Sequence, residues 1–93
     1  MAAEVTLEEV ASQLCGFLRD NVLAGDVVVS PDTELSHIGV DSFSLMELVL
    51  FIERRFRLEL PAEALIPENI ANVRVLSAYC VSLLNKHYKR IAN

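Results

Sequence analysis

Apolar residues recur at Leu7, Val10, Ala11, Leu14, Leu18 and Val22, the three-and-four spacing of a helix that buries one face, and Phe17 widens that face. Thr6-Leu-Glu-Glu9 has the S/T-x-x-E form of a capping box. The pattern predicts a first helix over 7–21, with Gly25-Asp26 as its stop signal. From Val22 to Val40 the period is lost. Turn chemistry at Gly25-Asp26 and Ser30-Pro31-Asp32 alternates with Val27, Val28, Val29, Leu35 and Ile38. Three valines in a row favour a strand, but no second run exists to pair with them, so an ordered loop pinned by its aliphatics is expected. A loop this long in a small domain has a role, if only to span the bundle.

A second helix is expected from about Asp41-Ser42. Leu45, Leu48, Val49, Ile52 and Phe56 form its core face. Phe43, Met46 and Leu50 fall on a largely opposed side, where a small bundle should be polar; the stripe reads as a contact surface or as a face covered by a neighbouring loop. Pro61 and Pro67 punctuate the next connection, and Pro67-Glu-Asn-Ile-Ala71 has room for one helical turn anchored by Ile70. The last helix has Asn72 as N-cap and runs to about Lys89, with Val73, Leu76, Tyr79, Cys80, Leu83, Leu84 and His87 at helical spacing. The expected architecture is all-α: an antiparallel four-helix bundle of three long helices and one short one, with a long loop between helices one and two, forming a single domain over 1–93.

Composition narrows the function. A chain of 93 residues is enough for one core but small for an enzyme with its own cleft, and 53% apolar content excludes disorder along the whole length. No apolar run approaches the ~20 residues that cross a bilayer, and Met1-Ala-Ala-Glu4 lacks the basic flank of a secretory signal. A cytoplasmic protein without a membrane span is expected. Cys15 and Cys80 lie in helical patterns and form no CxxC pair, so two buried, reduced thiols are expected and a metal site is not. The net charge is −5, concentrated at the start: residues 1–40 carry seven acids against Arg19 alone. With no basic stripe, nucleic acid is not an expected partner. The terminal bases Lys86, Lys89 and Arg90 suit a helix C-terminus.

The stretch that carries chemistry is Gly39-Val-Asp-Ser-Phe-Ser-Leu-Met-Glu-Leu48. A helix start offers unpaired N–H groups and the positive end of the macrodipole, so an ester-linked phosphate on Ser42 is favoured there. Gly39 permits a sharp turn, and Asp41 puts a carboxylate beside the hydroxyl, where it can help hold a divalent metal during phosphoryl transfer. The plainer alternative is that Ser42 or Asp41 is merely the N-cap. His37 invites comparison with a Ser-His-Asp hydrolase, but adjacent Asp and Ser at a helix start do not give the bridged geometry such a triad needs. His37 reads as a solvated loop residue.

Ser30-Pro-Asp-Thr-Glu-Leu35, then Ile38-Gly-Val-Asp-Ser-Phe43 and Glu47-Leu48, resemble the acyl carrier protein family, whose signature is a leucine-Gly-x-Asp-Ser-Leu motif opening its second helix. Leu65-Ile-Pro-Glu-Asn-Ile70 resembles the approach to the third helix in many carriers, and the likeness runs from Leu7 to about Leu84. The resemblance implies that Ser42 is esterified to 4′-phosphopantetheine by a phosphopantetheinyl transferase using coenzyme A and Mg²⁺. Asp41 matches the acid of the motif. Phe43, Met46, Glu47, Leu50, Glu53 and Arg54 match the side that docks acyl-activating, ketosynthase or acyltransferase-type enzymes. The carrier is then no enzyme; it is expected to be a monomer that presents acyl intermediates of fatty-acid or polyketide type as thioesters. A peptidyl or D-alanyl carrier is the neighbouring reading, and an unmodified helical adaptor the reading from another class. Phe43 replaces the usual leucine, and Glu53-Arg-Arg-Phe56 puts two cations where carriers of bacterial fatty-acid synthesis often have acids. Both departures favour a dedicated carrier of a specialised polyketide, lipid or aminoacyl pathway.

Overall fold

The computed structural model describes residues 5–23 and 27–92, with side chains described as far as Lys86. Helix α1 spans Leu7–Asn21, as its apolar period predicts. Its capping box is complete: Thr6 Oγ1 accepts from the Glu9 amide and Glu9 Oε1 accepts from the Thr6 amide, both at 3.2 Å. Val10, Ala11, Leu14, Cys15 and Leu18 form its buried face. The amides of Val22 and Leu23 both return to the Leu18 carbonyl, closing the helix. The stop predicted at Gly25-Asp26 lies outside the described residues.

In the connection that follows, Leu35 is buried and Val27, Val29 and Ile38 are half-buried, while Val28 is 84% exposed. The loop is thus pinned by its aliphatics as expected, and it contains a 3-10 turn, Leu35–Ile38, that no sequence pattern marked. Among the described residues the strand-like element is one antiparallel bridge between Glu34 and Asn72. Gly39 closes the 3-10 turn in the left-handed region at φ 91°, its amide donating to the Leu35 carbonyl.

Helix α2 spans Ser42–Phe56 and buries Leu48, Val49 and Ile52. Arg57 ends it at φ 54°, with its own amide and that of Leu58 directed to the Glu53 carbonyl. The single helical turn expected at Pro67 is present as a 3-10 turn, Pro67–Asn69, and it stays separate from a second one before it, Ala62–Leu65. The reason lies in Pro67: a residue before proline is driven out of the helical region, and Ile66 is extended at φ −77°, ψ 156°, so the two turns cannot merge. Asn69 Nδ2 donates to the Glu63 carbonyl at 2.9 Å and joins them. Ile70 is half-buried against the core.

Helix α3 spans Val73–Ala92, slightly past the expected end. Asn72 is its N-cap, Oδ1 accepting from the Val75 amide at 2.8 Å. His87, Lys89 and Arg90 fall among the side chains outside the description. Among the described residues the fold is therefore all-helical, three α-helices with 3-10 turns in place of a fourth. Its core joins Val10, Leu14 and Leu18 of α1, Leu48 and Ile52 of α2, and Val73, Leu76 and Cys80 of α3, with Leu35 closing it from the loop. No helix among the described residues is long and apolar enough to cross a membrane.

One core group is mismatched to its surroundings. Ser77 is fully buried on α3, and its Oγ has no hydrogen-bond partner among the described residues. A desolvated, unpaired hydroxyl costs about 1–3 kcal/mol. Ser77→Ala is expected to raise the unfolding free energy by about 1 kcal/mol in urea titration, with unchanged m. A loss of stability instead would mean that the hydroxyl has a partner.

Candidate functional site

Sequence left the cap of α2 open between two residues; the structure gives it to Asp41. Asp41 is extended at φ −97°, ψ −172°, and its Oδ1 accepts from the Ser44 amide at 2.9 Å. Hydrogen bonds from Ser44, the backbone amide foremost, hold the Asp41 carboxyl below the usual carboxylate range, so it is ionised at neutral pH. Ser42 is then the first helical residue, exposed, with its hydroxyl released from capping. It stands at the positive end of the helix, where negative charge is favoured. Gly39 supplies the left-handed residue that turns the chain into this start. A Cβ there would meet no atom within 4 Å, so the requirement is one of backbone conformation and not of space.

Beside Ser42 runs an open groove of about 350 Å³. Leu35, Val40 and Leu45 line one side and Pro67, Ile70 and Ala71 the other. Sequence reading placed Leu35 and Ile70 as anchors and Leu45 on the core face, and it missed the groove that they line together.

The outward side of α2 carries Phe43, 71% exposed, Met46, 52%, and Leu50, 46%. No flanking loop among the described residues covers them. Glu47 is half-buried and lines a shallow cleft with Phe17, Leu50, Phe51 and Arg54. The floor of that cleft is firm, because Phe17 and Phe51 stack with ring centroids 4.5 Å apart. Arg54 is exposed. Glu53 turns inward instead: its Oε2 accepts from the Leu60 amide at 3.1 Å and holds the chain after α2. Arg55 Nε donates to Gln13 Oε1 at 2.6 Å, tying α2 to α1. His37 is exposed on its 3-10 turn, and the carboxylate of Asp41 is committed to Ser44, so no relay of the triad kind is assembled. Met46→Glu is expected to change stability by less than ~0.5 kcal/mol, as exposed substitutions do. In transferase kinetics it should raise the KM for the carrier about ten-fold, the loss of one apolar docking contact.

Residues 6–80 match the family described as "Phosphopantetheine attachment site". The chain belongs to the phosphopantetheine-binding carrier protein family. Among curated proteins it is 32% identical over 69 residues to aminoacyl carrier protein 1 of Bradyrhizobium diazoefficiens, covering 74% of each chain. It is 32% identical over 75 residues to aminoacyl carrier protein 2 of the same organism, covering 81% of this chain and 82% of that one. It is also 28% identical over 80 residues to chloroplastic acyl carrier protein 1 of Spinacia oleracea, covering 85% of this chain and 56% of that one. A chain in the crystal structure of Bradyrhizobium japonicum glycine:[carrier protein] ligase complexed with glycylated carrier protein superposes with a TM-score of 0.63 at 28% identity, covering 77% of this chain and 95% of that one.

Members of this carrier family are not catalysts, and they bear a covalent 4′-phosphopantetheine. The residues present fit that group. This carrier has an exposed serine hydroxyl at a helix N-terminus for the phosphate, and a mainly apolar groove beside it along which a slender arm can lie. When attached, the arm supplies a thiol at the end of a long tether.

Proposed function

We propose that this chain is an aminoacyl carrier protein, a single domain whose Ser42 holds the phosphopantetheine arm and whose exposed α2 face meets the enzymes that attach and charge it. One observation carries the reading: the Ser42 hydroxyl is exposed at the first position of α2 while Asp41 does the capping. In the attachment step the Ser42 oxygen bonds to the phosphorus that bears the pantetheine and the pyrophosphate P–O bond of coenzyme A breaks. The adenosine bisphosphate leaves, and the hydroxyl proton passes to a base of the transferase. Asp41 faces that reaction as a carboxylate able to help hold Mg²⁺, and Gly39 sets the turn that exposes the hydroxyl. Phe43, Met46, Leu50 and Arg54 form the docking face.

Two facts support an amino acid as the cargo. Both Bradyrhizobium diazoefficiens relatives are aminoacyl carriers, and the structural relative comes from a complex with a glycine ligase. The interior also favours a small cargo, since Leu14, Leu18, Leu48, Ile52 and Leu76 are fully buried and fill the space between the helices. The spinach relative favours a fatty-acyl cargo as the second reading.

The test has two stages. The chain is incubated with coenzyme A, Mg²⁺ and a broad-specificity phosphopantetheinyl transferase, and its intact mass is read. The product is then offered ATP and glycine with the glycine:[carrier protein] ligase, or ATP and a fatty acid with an acyl carrier protein ligase. One arm per chain, followed by a hydroxylamine-labile amino acid adduct, is the expected result. Charging by the fatty acid alone removes the aminoacyl reading and keeps the carrier. No arm at all leaves an adaptor.

A further inference from the structure

The two walls of the groove beside Ser42 come from distant segments, and one set of contacts binds them together. Arg74, in the first turn of α3, reaches the loop before Ser42 with a two-pronged contact: Nε to Asp32 Oδ1 at 2.6 Å and Nη2 to Asp32 Oδ2 at 3.0 Å. Its amide also donates to the Pro31 carbonyl at 2.9 Å. Three residues further along, the Leu35 amide donates to the Ala71 carbonyl at 2.9 Å, and Glu34 bridges Asn72. Residues 31–35 thus run antiparallel against 71–74. Leu35 then starts the 3-10 turn that Gly39 closes, and Val40, Asp41 and Ser42 follow at once.

Resting on the assignment of the arm to Ser42, we infer that Asp32 and Arg74 are a positioning pair: they fix the Leu35–Val40 wall against the Ile70–Ala71 wall and thereby set where the Ser42 hydroxyl stands for modification. Neither residue lines that groove. Both side chains are more than half exposed, 67% for Asp32 and 51% for Arg74, so the pair contributes little to global stability. Its two-point geometry instead restrains direction, which a single point charge does not. A reacting group displaced by a fraction of an ångström loses rate, whereas docking through Phe43, Met46 and Leu50 on the other side of α2 is untouched.

The test measures conversion of the apo chain by a phosphopantetheinyl transferase with coenzyme A, together with amide hydrogen exchange and thermal unfolding. Arg74→Gln and Asp32→Asn should each lower kcat about five-fold while leaving the KM for the carrier unchanged. The Leu35 amide should exchange faster in both, at nearly constant melting temperature. Asp32→Arg combined with Arg74→Asp should recover most of the kcat and of the Leu35 protection. An unchanged kcat in the single variants overturns the proposal. So does a fall matched by a rise in KM, or one that the exchanged pair does not repair. If the parent chain itself takes up no arm, it is the assignment of Ser42 that fails; if the parent is modified and the variants keep pace, only the positioning role fails.

Discussion

Ser42→Ala is expected to fold as the parent does and to take up no phosphopantetheine at all. The expectation is clean because of the division of labour at the start of α2. Removing a capping side chain costs about 1 kcal/mol, but the cap here is Asp41, which the substitution leaves in place. Alanine is also the best helix former, so the first turn loses nothing intrinsic. The change removes only the oxygen proposed to carry the arm. Intact mass after incubation with coenzyme A, Mg²⁺ and transferase checks it, beside a denaturation curve showing the same midpoint. Uptake of the arm by the alanine variant would move the attachment to a neighbouring hydroxyl such as Ser36 or Ser44.

Ile52→Ala should cost roughly 3 kcal/mol of stability, from the lost transfer free energy of the side chain and the cavity left behind. Ile52 is 0% exposed and joins the core shared by α1 and α3, one turn beyond Leu48 on the face of α2 that points inward. The remaining α2 contacts with α1 include the Phe17–Phe51 stack and the Arg55–Gln13 hydrogen bond. For a domain stabilised by roughly 5–15 kcal/mol in total, the loss is a large fraction. The urea midpoint should fall while m stays constant, and the folded fraction should still accept the arm at the parental rate, since Ser42 lies nearly three turns away along the helix. A cost below about 1 kcal/mol would show that α2 is far less tightly seated than its burial indicates.

Helices whose start and period are written locally were legible as helices. Thr6 and Glu9 mark the start of α1, Asn72 that of α3, and each apolar face follows from spacing alone. The proposed attachment site stood out for the same reason, since Gly39, Asp41 and Ser42 are neighbours in sequence. Which of Asp41 and Ser42 would cap was not, because both residue types serve equally well and tertiary context decides. The 3-10 turns at Leu35–Ile38 and Ala62–Leu65 escaped because one turn shows no period; Leu35 is buried by what lies opposite it, not by its place in a repeat. Glu53 was placed on the docking side by the carrier resemblance, yet its carboxylate bonds to the Leu60 amide seven residues on. The Asp32–Arg74 contact joins residues 42 apart and has no local signature. The exposed stripe of Phe43, Met46 and Leu50 stood out only as apolar residues where polar ones were due.

Burial of the two native cysteines has a practical side. Desolvation pushes the Cys80 thiol from its ordinary 9.0 up to about 11, and it raises Cys15 as well, with Arg19 pulling the other way. Both therefore stay protonated and sheltered from electrophiles at neutral pH. A chain that has received its arm gains a sulfur of ordinary acidity far out in solvent, chemically distinct from the pair inside. Maleimide or disulfide reagents applied to the native protein would then count arms with a free thiol without background, and the carrier would be spared disulfides between its tether and its own interior.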